Sequence, residues 1–404
     1  MSHTQLPPSA LVIIGLSLSV AWPVSAEPPG RALSELDSYP YAVGTQTFGA
    51  RYQFTHQTRL VETAQAILDM GANVIKFGMG REQFANVPAL DPQIRSLSAL
   101  AADEPSYRRV LEMPFAHYVI WANPFSTRGF AADLSPEELD REYREMYAFA
   151  GYLLKTYAGT GKTFYLGHWE GDWLLLGHTD DRLDPAPERI ASMIRWLNAR
   201  QKAVDDAKRD VPHTGVQLYH YTEVNRVQRA MQGRPTLTND VLPKTTVDFV
   251  SYSSYDSLGP DAQQKLPAAL TYIESKLPAK SGIAGKRVFI GEYGYPAIRH
   301  SPQEQEALAR QVMAAGLEWG CQFVLYWEVY NNEVTEQGQP RGFWLIDDHG
   351  VKQPVYFAHE RFLKAARRVV ADFRSRQKRL PTAREYWELA RPLLDAPPTT
   401  RPAK

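Results

Sequence analysis

Seven carboxylates in this chain stand just after short apolar or aromatic runs. Glu170 and Asp172 follow Thr163–Gly167, Glu223 follows Gly215–Tyr221 and Asp256 follows Val247–Tyr255. Glu292 follows Arg287–Gly291, and Glu328 and Glu333 follow Gln322–Trp327. Two carboxyl groups facing one cleft can divide the work of breaking a glycosidic bond. One is held neutral and protonates the leaving oxygen, while the other stays ionised and attacks or stabilises an oxocarbenium-like centre. Lys76, Asn123, His168 and His220 stand at other run ends and are candidates for binding hydroxyl groups. Trp169, Trp173, Tyr255 and Trp327 are candidates for stacking on a sugar ring, with burial in the core as the plain alternative.

This chemistry requires the runs to be strands whose ends converge. Tyr41–Gly49, Asn73–Phe77, Tyr118–Phe125, Thr163–Gly167, Gly215–Tyr221, Val247–Tyr255, Arg287–Gly291 and Gln322–Trp327 read as buried strands bounded by turn residues. Amphipathic stretches alternate with them: Thr58–Met70, Glu188–Lys208, Gln264–Leu277 and Val355–Val370. Ser135-Pro136-Glu137-Glu138 and Ser301-Pro302-Gln303-Glu304 each combine an N-cap serine, a first-turn proline and a capping-box glutamate. Gly71 stands where a helix C-cap belongs. Strand-then-helix units repeated about eight times predict a single (β/α)8 barrel over residues 27–370, with active residues at the C-terminal ends of its strands. The loops Gly78–Tyr118 and Tyr221–Thr246 are expected to shape the cleft.

Residues 1–26 read as a secretory signal: the apolar run Leu11–Trp22 is too short to span a bilayer and is followed by the small-residue segment Pro23–Ala26. The mature chain is expected to be exported, secreted or periplasmic, with no membrane anchor. Residues 371–404 are set apart as a tail, with Thr382-x-x-Glu385 capping a last helix over Ala383–Leu394 and a disordered end.

Composition removes other classes. Lys+Arg and Asp+Glu both number 45, so no global basic field gathers nucleic acid. With 44% hydrophobic residues the chain can build a large core, and it must, because the single cysteine, Cys321, permits no internal disulfide and no cysteine metal cage. No H-x-H or H-E-x-x-H occurs, so no metal is implied. Gly159-Thr160-Gly161-Lys162-Thr163 echoes a phosphate loop, but Thr156 occupies the position of the required first glycine and the segment precedes a strand. No G-x-S-x-G elbow is present. No organic cofactor is implied either, and the sequence carries no signal for oligomeric state.

Phe289-Ile290-Gly291-Glu292-Tyr293-Gly294 resembles the strand-seven nucleophile motif of the clan A retaining glycoside hydrolases. Leu325-Tyr326-Trp327 resembles that clan's strand-eight end, and Tyr255 matches the place after strand six from which a tyrosine bonds the nucleophile. Gly342–Asp347 with Gly350 resembles the segment before its last helix. The resemblance implies a (β/α)8 barrel, a carbohydrate substrate, Glu292 as nucleophile and Glu170 as acid/base. The pattern departs at strand four, where clan members place an asparagine before the acid/base and this chain has Trp169. His168 or Asp172 could take part of that polar role, and Asp172 is an alternative acid. The expectation is a secreted retaining glycoside hydrolase. The alternative is a catalytically silent barrel that binds glycan or a protein.

Overall fold

The computed structural model describes residues 32–82, 87 and 89–395. The signal-like segment 1–26 and the terminal residues beyond 395 lie outside them. Eight parallel strands close into a barrel in sequence order: β1 (Ala42–Thr47), β2 (Val74–Met79), β3 (His117–Ala122), β4 (Thr163–Gly167), β5 (Gln217–Val224), β6 (Phe249–Ser253), β7 (Val288–Tyr293) and β8 (Phe323–Tyr326), with β1 pairing β8. The fold is the (β/α)8 barrel that the alternation predicts. Two strand ends differ in a way that matters: β5 runs on through Glu223, and β7 contains Glu292.

The helix starts follow their local chemistry. Ser135 and Ser301 accept from the N–H groups of Glu138 and Glu304, whose carboxylates accept from the serine N–H in return, opening helices Pro136–Thr156 and Pro302–Trp319. Gly71 closes helix Arg59–Met70 in the left-handed region at φ 99°, where a side chain would be strained. Thr382 caps Ala383–Leu394 through Glu385, and Tyr386 of that helix donates to the Tyr41 carbonyl at 2.9 Å, docking it beside the start of β1. The preceding helix, Pro354–Gln377, continues through residue 370.

The segment Gly78–Tyr118 is more than a loop. Ser96 caps helix Leu97–Asp103, and Glu104 caps helix Pro105–Glu112. Their buried faces, including Leu97, Leu100, Tyr107 and Val110, supply the outer layer after β2. Both helices are short, so their periodicity is weak in the sequence.

Strand alternation divides the core into two layers. Val119 and Trp121 on β3, Tyr219 and Tyr221 on β5 and Phe323 and Leu325 on β8 belong to the cluster inside the barrel. Tyr118, Ile120, Val324 and Tyr326 pack outward beneath the helices. The interior tolerates the Tyr221 ring because Gly167 faces it: a Cβ there would lie 2.3 Å from the ring. The buried Arg200 guanidinium ion-pairs Glu142 at 2.5 Å and donates to the carbonyls of Ala122 and Gly167 at 2.8 and 2.9 Å. It therefore fastens together the C-terminal ends of β3 and β4, from which the site is built. Cys321 is buried, and burial pushes its thiol up to about 12, so it acts as a small apolar residue.

Candidate active site

Beneath the barrel mouth lies a fully buried ion pair. Lys76 Nζ on β2 stands 2.6 Å from Glu223 Oε2 on β5, and neither side chain is exposed. The same carboxylate oxygen accepts from Ser251 Oγ at 2.6 Å, and Glu223 Oε1 accepts from the Glu170 backbone N–H at 3.1 Å. Lys76 also donates to the Gly291 carbonyl at 3.0 Å and lies 3.7 Å from Glu292 Oε2.

Glu292 reaches this place through a break in strand alternation. Ile290 and Tyr293 both pack in the outer layer, while Phe289 faces the interior. Two residues lie between the outward pair, so Gly291 and Glu292 both turn inward. The pairing register shifts at this point on both sides of β7, and Ser253 becomes the partner of Glu292. Such an irregularity re-aims a side chain. Gly291 is required by close approach: a Cβ there would lie 1.7 Å from Ser251 Oγ. Gly291→Ala is expected to cost about 2–3 kcal/mol by overpacking, read as a fall in the urea midpoint, and Ser251→Gly in the same chain should recover much of it. Equal stability of Gly291→Ala and the unaltered protein would contradict this packing.

Glu170 opens the short helix Gly171–Leu176 after β4 and is half-buried. Its Oε1 accepts from Ser253 Oγ at 2.6 Å. Burial raises the Glu170 carboxyl to about 7; the serine bond opposes this and the Glu223 charge adds to it. Burial also pushes Glu292 well up, Lys76 pulls it back, and the charges of Glu170 and Glu223 add to the rise. The two carboxyls face one cleft, and a charge on Glu170 raises the cost of ionising Glu292. Lys76 is within ion-pair reach of Glu292, and among the described residues no cation ion-pairs with Glu170. The ammonium thus favours the ionised form of Glu292 over that of Glu170, against the rise that burial gives both.

Both carboxyls line one cleft of about 1800 Å³ at the C-terminal ends of the strands. This exceeds the usual volume of a small-ligand pocket, roughly 300–1,000 Å³. On one side Phe48, Trp121 and Trp327 form an aromatic wall, with ring centroids 3.8 Å (Phe48–Trp121) and 5.5 Å (Phe48–Trp327) apart. Trp327 Nε1 donates to Glu333 Oε1 at 3.0 Å, and Arg341 pairs with the other Glu333 oxygen at 3.3 Å. Tyr255 stands edge-on to Phe343 in the same cleft, and no hydrogen bond from its hydroxyl to Glu292 is present. Trp169 lies beside Glu170 and is 39% exposed, whereas Trp173 is half-buried beneath the Arg226 guanidinium. Asn123 lines the cleft after β3.

Several candidate residues are placed elsewhere. Asp172 is buried outside the cleft lining and accepts from the backbone N–H groups of Leu237, Asn225 and Arg226 at 2.8, 3.0 and 3.3 Å. It ties three segments together and is committed to scaffolding, so it is not placed to be the acid. His220 faces outward, between Tyr219 and Tyr221, and meets Gln201 Oε1 at 3.2 Å. His168 touches the cleft wall, but both ring nitrogens are engaged, by the Trp169 carbonyl at 2.9 Å and Thr222 Oγ1 at 2.7 Å. Burial lowers its pKa to about 3, which keeps the ring neutral. Lys76 lies below the cleft floor and does not line it. Glu328 is buried and accepts from Phe48 N–H at 2.8 Å, fixing a wall residue.

Sequence reasoning did not single out Ser251, Ser253, Phe48 or Trp121 for the site. Alternation from Val119 would have aimed Trp121 inward. A lysine within the apolar strand Val74–Met79 signals a carboxylate partner, because a buried ammonium is seldom left unpaired. Among the described residues no group of three or more His, Cys, Asp or Glu is placed to hold a metal ion.

No family model matches the sequence, and no curated protein does. Solved structures match by shape. A GH5_18 enzyme from Streptomyces cattleya, solved in complex with Manb1-4GlcNAc, superposes with a TM-score of 0.54 at 11% identity, covering 88% of this chain and 90% of that one. The exo-beta-1,4-mannosidase from Opitutaceae bacterium strain TAV5 gives 0.55 at 12% identity, covering 81% and 60%. A family 39 glycoside hydrolase from the gut symbiont Bacteroides cellulosilyticus WH2 gives 0.52 at 11%, covering 82% and 64%. The chain thus spans less than two thirds of the latter two. At such identity the likeness is one of fold: this chain has the eight-stranded parallel barrel on which these glycoside hydrolases are built.

Proposed function

We propose that the protein is a glycoside hydrolase that acts with retention of anomeric configuration. The observation that carries the reading is a pair of carboxyls in one cleft with unlike surroundings: Glu292 beside the Lys76 ammonium, Glu170 bonded to a serine hydroxyl and raised to about 7. The glycoside hydrolases that share the barrel support the same reading.

In the first step a Glu292 oxygen attacks the anomeric carbon, the bond to the leaving oxygen breaks, and Glu170 gives its proton to that oxygen. A glycosyl ester on Glu292 remains. Esterification removes the negative charge of Glu292, so the Glu170 pKa falls and its carboxylate becomes a base. Water then loses a proton to Glu170 as it attacks the anomeric carbon from the opposite face, and the ester bond to Glu292 breaks. The cleft volume and the exposed indole of Trp169 suit an oligosaccharide better than a single ring.

The test is hydrolysis of an aryl-glycoside panel and of polysaccharides, with the first-formed anomer followed by proton NMR. Retention is expected. The kcat/KM should decline as pH rises through about 7, because the active form carries the proton on Glu170 and deprotonation removes it. An inverted first product would overturn the assignment of Glu292 as nucleophile. Binding of glycans without cleavage of any substrate would establish a silent barrel instead, a reading motivated by Trp169 at the position where the asparagine is expected.

A further inference from the structure

The geometry points to Lys76 and Glu223 as a positioning pair that sets the protonation states of the two carboxyls above it: Lys76 holds Glu292 ionised, and Glu223 clamps Glu170 while offsetting the lysine charge. The inference rests on the reading of Glu292 as nucleophile and Glu170 as acid.

Neither residue touches the cleft, and both side chains are 0% exposed. A pair buried this deeply is a weak source of stability, since apolar side chains of similar volume commonly replace one without loss. Its contacts instead run to the chemistry at both ends. Glu223 Oε1 holds the Glu170 N–H at 3.1 Å, and Oε2 holds Lys76 at 2.6 Å. Lys76 in turn holds the carbonyl of Gly291, the residue before the nucleophile, at 3.0 Å and lies 3.7 Å from the Glu292 carboxyl. One chain of contacts thus links the acid's backbone to the nucleophile's side chain across the barrel. Ser251 completes the Glu223 shell, and Ser251 is also the residue that excludes a side chain at position 291.

The titratable groups facing Glu292 are Lys76 on β2, Glu170 after β4, Tyr221 and Glu223 on β5, Tyr255 after β6, and Glu328 and Glu333 after β8. Among the described residues Lys76 is the only cation within ion-pair reach of Glu292. Its removal therefore leaves carboxylates facing carboxylates, and removal of the Glu223 charge leaves Lys76 to act on Glu292 and Glu170 alone.

The test is the pH profile of kcat/KM for Lys76→Met, Glu223→Gln and the double variant. An opposite charge within about 4–6 Å moves a carboxyl by roughly 1–3 units. Lys76→Met should raise the pKa of Glu292 and of Glu170, moving both limbs of the profile up by about 1–2 units. Glu223→Gln should lower both pKa values and move both limbs down. The amide introduced by Glu223→Gln retains an oxygen for the Glu170 N–H, so the double variant, free of buried net charge, should place the limbs within about half a unit of the original. KM should change less than about threefold, because neither residue reaches the substrate. Uniform loss of activity at every pH, with unmoved limbs, would mean a purely structural role and overturn the inference.

Carbon-13 titration of the glutamate carboxyls in the unaltered protein supplies an arm that needs neither substrate nor variants. Glu292 is expected to ionise before Glu170 as the pH is raised, because the Lys76 ammonium lies within ion-pair reach of Glu292 alone. Glu170 ionising first overturns the role of the pair, even if glycosides are cleaved. The expected titration without any hydrolysis sustains the pair and overturns the function.

Discussion

Glu292→Ala is expected to lose kcat by on the order of 10⁴-fold or more, because it removes the atom proposed to form the covalent bond. The loss should not come from unfolding. Glu292 Oε2 has no hydrogen-bond partner, and Lys76 keeps its 2.6 Å contact with Glu223 when Glu292 is gone. Thermal unfolding of the variant should therefore match or exceed that of the unaltered protein, as is common when a strained active-site charge is removed. Azide should restore turnover. The missing carboxylate leaves room for a small anion on the same face of the sugar, beside the Lys76 ammonium, and Glu170 still protonates the leaving oxygen. The product is then a glycosyl azide of inverted configuration, formed by one displacement. A kcat within tenfold of the original, or an azide of retained configuration, would remove Glu292 from the nucleophile role.

Glu170→Ala is the second large effect, and its size depends on the leaving group. Natural glycosides and aryl groups of high pKa need the proton, so kcat/KM should fall by about 10²–10⁴-fold. Activated aryl glycosides should lose little in the first step and accumulate the glycosyl ester, since the base for the second step is missing. Azide, which needs no general base, should release that ester as the azide of retained configuration. The pH profile separates this role from a structural one: the decline through about 7 belongs to the Glu170 carboxyl and should vanish in the variant. A decline that persists would assign the proton to another group on the cleft wall. Asp256, which burial raises to about 6 against hydrogen bonds from Tyr252 and Gln228, would be the first to examine.

Both predictions depend on side chains whose positions were unequally legible in the sequence. The glutamates stood out because carboxylates after apolar runs can converge on one cleft, yet the same position also holds Asp172 and Glu328, which serve backbone N–H groups. The asparagine expected before Glu170 is replaced by Trp169, an exposed indole on the cleft wall, and the polar residues proposed to compensate do not do so. Asp172 is spent on three backbone N–H groups, and His168 has both nitrogens occupied. Those partners come from residues 53 or more positions away for Asp172 and from Thr222 for His168, so no local pattern announces them. His220 was readable: a residue between two inward tyrosines must face outward.

What the sequence by itself determined is local. Eight strand-forming runs, the capping boxes at Ser135, Ser301 and Thr382 and the glycine stop at Gly71 follow from hydrogen bonds and dihedral preferences within a few residues. Only the tertiary structure decided which way Glu292 points. Strict alternation from Phe289 would send it outward beneath the helices, and the register shift between Ile290 and Tyr293 turns it into the barrel beside Gly291. Closure of the ring likewise brings Lys76 to Glu223, 147 residues apart, and Ser253 to Glu170, 83 apart. Periodicity is a property of neighbours along the chain. Register around a closed barrel is set by all eight strands together, and the chemistry at its mouth is placed by that register.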